Sequence, residues 1–409
     1  MATDPAVASH TVPSVASSRA YRHTAIDLLR GLAIVVMAVD HVRDYFLAGT
    51  SVDPTADPNI SAGMFAARWI THFCAPAFVL LAGTSAGLMA GRKSRRELAR
   101  FLFTRGVWLI AVEIFVVSTA WSFAPGGIAQ AGGLTWIGMQ VIWAIGASMV
   151  ALSALQWLGR NACLGLGIAV VAAHNLLDPI WPTSQLLDRQ WPVWVALHSP
   201  MSLAVGPFLF LFRYPLLPWI GVMLLGFGVS RVFELLPSRR NALLRRGGAL
   251  LTLGFILLRA SGLYGDPNSW QVQPGGMAAT AIDFLNVTKY PPSLLFLMMT
   301  LGPAAILCAF ADRVPDVIKD VLVTFGRAPF AFYVAHLYLI HSLSVLLGVA
   351  QGFTLDQMMT MSRFYPEGFG LGPLGVFVVW VLVVASLYPL CRWVAGVKAR
   401  RRDWWLSYI

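Results

Sequence analysis

Charge is what this chain has least of. Only 12% of its 409 residues are Asp, Glu, Lys or Arg, and the acidic residues number 19. With 57% hydrophobic residues and a mean hydropathy of +0.68, that scarcity excludes an ordinary water-soluble domain. Cysteine is also rare. Cys74, Cys163, Cys308 and Cys391 lie within or at the edge of apolar segments without CxxC spacing, so neither a disulfide framework nor a zinc site is expected. The first twenty residues, MATDPAVASHTVPSVASSRA, lack an apolar h-region. They read as a disordered cytoplasmic tail over 1–20, ahead of one membrane domain over 21–409.

What the chain does have is apolar runs separated by short polar joints. Spans are expected near 26–46, 66–90, 106–124, 134–156, 162–180, 214–235, 247–264, 292–311, 328–349 and 372–396, each close to the roughly 20 residues that cross a hydrocarbon core. Backbone groups cannot go unpaired in lipid, and these runs are too long for barrel strands. The expected fold is therefore all-α: a polytopic transmembrane helical bundle of about ten spans.

The formal charge of +11 is not spread evenly. Arg92, Lys93, Arg95, Arg96, Arg100 and Arg105 form one cluster; Arg239, Arg240, Arg245 and Arg246 a second; Lys398, Arg400, Arg401 and Arg402 a third. The positive-inside rule puts all three in the cytoplasm against anionic lipid headgroups, with both termini on that side. Nucleic acid is not an expected partner. The opposite side receives the long segments 47–65, 181–213, 265–291 and 350–371, rich in Pro, Gly, Asp and Trp and suited to cover the mouth of a cavity. No internal repeat is visible, which disfavours an inverted-repeat transporter.

The first span, IDLLRGLAIVVMAVDHVRDYF, carries Arg30, Asp40, His41, Arg43 and Asp44 where a plain anchor has none. Such residues are expensive in a bilayer, so they are usually functional or paired. At 100° per residue Arg30 and His41 share a face about 16 Å apart along the axis, and Asp44 follows His41 by one turn. This suits a cationic group near the cytoplasm and a deeper general base oriented by a carboxylate. The competing reading has Arg30 snorkelling to headgroups and the DHVRD run capping the helix at the far interface.

His72 and Pro76 lie near the outer end of the second span, where His72 is a second catalytic candidate, an ion-pair partner for Asp40 or a hydrogen-bonded structural residue. The Gly and Ala residues of that span let another helix approach closely. Glu113 stands alone in the middle of the third span and must be protonated, paired or solvated. His174 and Asp178, one turn apart, read as an interface feature without further metal ligands. Arg259, Lys289, Tyr290 and, in the ninth span, Tyr333 with His336 on one face complete the outer polar groups.

The runs DLLRGLAIVVMAVDH, RWITHFCAPAFVLLAGTSAGL, YPLLPWIGVMLLGFGVS, KYPPSLLFLMMTLGP, FGRAPFAFYVAHLYLIH and LYPLCRWVAGVKARRRDWWLSY resemble the bacterial relatives of heparan-alpha-glucosaminide N-acetyltransferase, from about residue 22 to the C-terminus. The resemblance implies a transmembrane acyltransferase of the bacterial inner membrane. It would take acetyl from cytoplasmic acetyl-CoA and deliver it to an amine or hydroxyl, typically on a sugar, on the far side. Membrane lipids, acetyl-CoA and a sugar-like acceptor are then the partners, a homo-oligomer is compatible, and no metal is needed. Arg30 and Arg105 would hold the donor's phosphates. His41 would act as base, or briefly carry the acetyl group itself, with Asp40 or Asp44 fixing its tautomer, and Glu113, Arg259, Tyr290 and His336 would line the acceptor site. The Arg, ten residues, His pattern of the related O-antigen acetylases matches Arg30 and His41. One departure matters: in the lysosomal enzyme an asparagine matches His41, and the catalytic histidine lies in the loop after the first helix. Segment 47–65 here has no histidine, which leaves His41, His72 or a different acyl chemistry. A proton-coupled solute transporter and a histidine-ligated membrane cytochrome are the rival classes.

Overall fold

The computed structural model describes residues 15–49, 55, 60–179, 197–401 and 403–408, and within these the chain is mainly helical. Helix α1 (Val15–Phe46) begins inside the stretch expected to be a tail, whose residues 1–14 lie outside those described. It is followed by α2 (Ala62–Thr71) and α3 (Cys74–Ala90), one apolar span bent at His72 and Phe73. Next come α4 (Arg95–Val112), a π-helical turn (Glu113–Val117) and α5 (Ser118–Ser122). Then follow strand β1 (Thr135–Met139), α6 (Val141–Leu155) and α7 (Arg160–Ala173). Strands β2 (Met201–Val205) and β3 (Phe208–Phe212) precede α8 (Leu216–Val229), α9 (Pro237–Ser261), α10 (Met277–Leu285) and α11 (Leu294–Ala309). The chain ends with α12 (Asp316–Arg327), α13 (Pro329–Ala350), α14 (Leu355–Met358) and α15 (Pro373–Arg400).

Eight helical segments of the described residues are long and apolar enough to cross a membrane. They match the expected spans except the first and the eighth. The first, α1, fails that criterion because Asp27, Arg30, Asp40, Arg43 and Asp44 interrupt its apolar run; the eighth, α11, has 16 residues. The outside of the bundle is apolar where soluble proteins are polar. On α9 Leu250 and Leu257 are 72% and 61% exposed, and on α15 Phe377 and Leu382 are 56% and 61% exposed. Contiguous exposed apolar surface of this kind requires lipid, and the chain is an integral membrane protein.

The charged helix sits in the middle. Ile34, Ala38 and Val42 of α1 are buried, and α1 packs against α3, α12, α13 and α15. Its closest approach is to α12, where a Cβ on Gly31 would overlap the Leu322 carbonyl oxygen and one on Gly326 would overlap that of Asp27. Helices α3 and α8 meet in the same way through Gly83 and Gly226.

The three strands were not expected in an all-α bundle. β3 pairs in parallel with β1 and antiparallel with β2, which is joined to it by Gly206 and Pro207. Residues 134–156 divide accordingly, a strand to Met139 and a helix from Val141. The run FLFLF is apolar throughout and reads equally as helix or buried strand. Here Ile137, Met139 and Phe212 make a small core of their own.

Candidate active site

The polar residues of α1 face two cavities. The larger, about 910 Å³, has largely apolar walls that include Ile34, Phe78, Ala86, Leu109 and Ile142. Five cationic residues border it, Arg30, Arg105, Arg327, Lys398 and Arg401, and three of them, Arg105, Lys398 and Arg401, belong to the basic clusters. Arg30 is fixed by Asp27 (3.3 Å), by the Leu81 carbonyl oxygen (3.3 Å) and by a short hydrogen bond to Ser85 Oγ. Lys398 Nζ donates to the Arg327 carbonyl oxygen at 3.2 Å. The chemistry of this donor set fits a polyanion at the rim and an apolar arm in the body.

The smaller cavity, about 290 Å³, is lined by His41, Asp40, Arg43, Asp44, Arg68, Trp121, Arg213, Lys289, Tyr290 and Arg363 among others. Met37, Phe78, Val141 and Tyr333 line both cavities. One layer of four side chains therefore separates an apolar, cation-rimmed space from a polar one.

The DHVRD segment is a buried charge network. Asp40 Oδ1 lies 2.7 Å from Arg43 Nη1, its other oxygen pairs with Arg68, and Arg43 Nη2 bonds Asp44 Oδ1 at 2.6 Å. His41 stands outside this network. Its Nδ1 is 2.7 Å from Nε2 of His336 on α13, the two rings stack at 4.9 Å, and Trp121 presents its edge at 5.0 Å. The ring partner of His41 is thus another histidine, while both neighbouring carboxylates are engaged by arginines.

The other expected site residues are dispersed. Arg105 lines the larger cavity and Tyr290 the smaller. Burial pushes the Tyr290 phenol up, but the nearby cations Lys289, Arg213 and Arg68 outweigh it and bring it down to about 8. His72 is buried against Phe296 and borders a third, neighbouring cavity; the residue of that span that reaches Asp40 is Arg68, one turn earlier. Arg259 holds together the 265–288 segment, donating to the backbone carbonyl oxygens of Phe284, Asn268, Asp283 and Asn286. Glu113 lines neither of the two main cavities. Its Oε2 accepts from the Trp143 N–H at 2.8 Å, so it caps the N-terminus of α6 from outside that helix. His174 lies beside His198, which bonds Asp178 at 2.9 Å. Among the described residues no group of three His, Cys, Asp or Glu side chains is arranged to hold a metal ion.

Three participants were missed. Arg68 carried the same signal as Arg30, a charge within an apolar run. Arg213, in the turn after β3, and Arg363, in the 350–371 segment, carried none, because only the fold brings Arg213 over Tyr290 and Arg363 close to Arg213.

A family model described as heparan-alpha-glucosaminide N-acetyltransferase, catalytic, matches residues 22–257. The matched stretch covers more than half of the chain and contains Arg30, His41 and Arg68, whereas His336 lies beyond it. A search of curated proteins returned no match. With its central polar helix between two cavities, the chain belongs to the heparan-alpha-glucosaminide N-acetyltransferase family, a family of membrane acetyltransferases.

Proposed function

We propose that this protein transfers an acetyl group from acetyl-CoA, bound in the larger cavity, to an amine or hydroxyl of a sugar-like acceptor in the smaller one. The observation that carries this reading is the junction: four residues line both cavities, and His41 stands on its polar side. Arg30, Arg105, Arg327, Lys398 and Arg401 would hold the phosphates of the donor, and the apolar walls would take its pantetheine arm. The thioester would then reach the layer formed by Met37, Phe78, Val141 and Tyr333.

His41 Nε2 would take the proton from the acceptor N–H or O–H as that atom attacks the thioester carbonyl. The C–S bond then breaks, and His41 returns the proton to the departing sulfur, leaving acetylated acceptor and free thiol. Trp121 and Tyr333, whose ring centroids lie 5.0 and 6.4 Å from that of His41, would bound the reacting face. The Asp40, Arg43, Arg68 and Asp44 network would fix the end of α1 and the shape of the acceptor cavity.

The same reading includes ten spans, adding α1 and α11 to the eight apolar helices, with both termini and the donor cavity on the cytoplasmic side of a bacterial inner membrane. The basic residues at the donor end support that orientation. The test is to supply labelled acetyl-CoA to one face of vesicles holding the purified protein, with amino sugars and envelope glycans on the other. Labelled glycan formed only with the donor on the cytoplasmic face is expected. Solute uptake without acetyl transfer would instead favour a transporter.

A further inference from the structure

We infer that His336 is the positioning residue of the site, holding His41 in the one neutral tautomer that leaves a bare ring nitrogen for the acceptor. The inference rests on the acetyl-transfer reading for its kinetics but on hydrogen-bond geometry for its substance. His336 is fully buried on α13. Its Nδ1 lies 2.5 Å from the Tyr333 carbonyl oxygen and 3.1 Å from that of Phe332. Carbonyl oxygens only accept, so this nitrogen carries the hydrogen. In a neutral imidazole the other nitrogen then holds a lone pair.

That other nitrogen, Nε2 of His336, faces His41 Nδ1 at 2.7 Å. A lone pair there requires a donor opposite, so His41 Nδ1 carries its hydrogen. The remaining nitrogen of His41, Nε2, is left without one. Its ring borders the acceptor cavity, and only a nitrogen in this state can accept a proton or attack a carbonyl carbon. Two backbone carbonyls thus fix one histidine, and that histidine fixes the next.

The arrangement does for a histidine base what a buried carboxylate does in other enzymes, with one difference. His336 orients the ring without adding negative charge. The nearest carboxylate, Asp40, is already held by Arg43 and Arg68, and Asp44 by Arg43, so neither supplies the acceptor that Nδ1 needs. When His41 gains a proton at Nε2, its Nδ1–H still points at a lone pair, and the cation keeps its hydrogen bond. Phe332 stacks on His336 at 5.2 Å and opposes rotation of the ring.

The test compares His336→Leu, which removes the acceptor, with His336→Gln, whose side-chain oxygen supplies one. Loss of about 100-fold or more in kcat is expected for His336→Leu, the scale of general base catalysis. Recovery to within about tenfold is expected for His336→Gln, by restoring one hydrogen bond to a charged group. Acetyl-CoA affinity should be unchanged in both, which separates positioning from a folding defect. Nitrogen-15 NMR of histidine-labelled protein, with His41→Asn used to assign the signal, reads the tautomer directly. Wild type and His336→Gln should show His41 protonated at Nδ1 with Nε2 bare, and His336→Leu should lose that preference. Wild-type His41 protonated at Nε2 overturns the inference, as does a His336→Leu variant with undiminished kcat. Absence of acetyl transfer by the wild type would defeat the functional reading alone, since the NMR measurement still decides the tautomer.

Discussion

The two cavities share a wall and little else. The larger is bordered by cations around largely apolar walls, whereas the smaller has about a third of the volume and keeps its charges in its walls, where Asp40, Arg43, Asp44 and Arg68 are tied in ion pairs. One helix serves both, with Arg30 in the first and His41 in the second. The contrast teaches a division of labour. On the proposed reading, a long, partly apolar ligand would be gripped by its charged end in one cavity, and its reactive group would be met by fixed polar atoms in the other.

Substitutions can break that division or sharpen it. The largest effect belongs to His41→Ala, which should lower acetyl transfer about 1,000-fold, within the range general acid–base catalysis supplies. Acetyl-CoA binding, measured by calorimetry, should persist, and a variant that turns over normally removes His41 from the chemistry. Arg30→Ala and Arg105→Ala should act on the other cavity, each weakening acetyl-CoA binding about tenfold while leaving the acceptor KM alone, as expected for one lost charge-assisted bond. A changed acceptor KM with constant donor affinity would erase the distinction. Arg213→Ala is milder. Its guanidinium lies 4.8 Å over the Tyr290 ring, and its loss should raise the acceptor KM about threefold, the worth of a partly exposed cation. Glu113→Gln should do least, because an amide oxygen still accepts from the Trp143 N–H; a stability change below about 1 kcal/mol in thermal unfolding is expected. An activity loss beyond about tenfold would return Glu113 to the acceptor site.

Much of the fold was legible because lipid imposes a length and a composition on every span. Positions of Arg30 and His41 along α1 were legible for the same reason, since charges in an apolar run announce themselves. The two interruptions, β1 and the β2–β3 hairpin, were not, because short apolar runs such as FLFLF satisfy either secondary structure. Pairings were the least visible. Asp44 stands one turn from His41 and looked like its natural partner, yet Arg43 takes it, and the true partner lies 295 positions away in sequence. Local spacing says which side chains are near along a helix. Only the packing of α13 against α1 says which one meets the ring.

The close seating of α1 on α12 carries a consequence for biosynthesis. Gly31 and Leu322 touch backbone to side of backbone, yet about 290 residues separate them, a delay of roughly 15 to 60 seconds at ribosomal speeds of about 5 to 20 residues per second. Through that interval, on the proposed ten-span reading, α1 with its buried charges waits beside the translocon or in lipid without the neighbours that shield it. Substitutions at Gly31 or Gly326 should therefore betray themselves first in the cell, as failed maturation and proteolysis of newly made chains, before any defect is measured in the protein that survives.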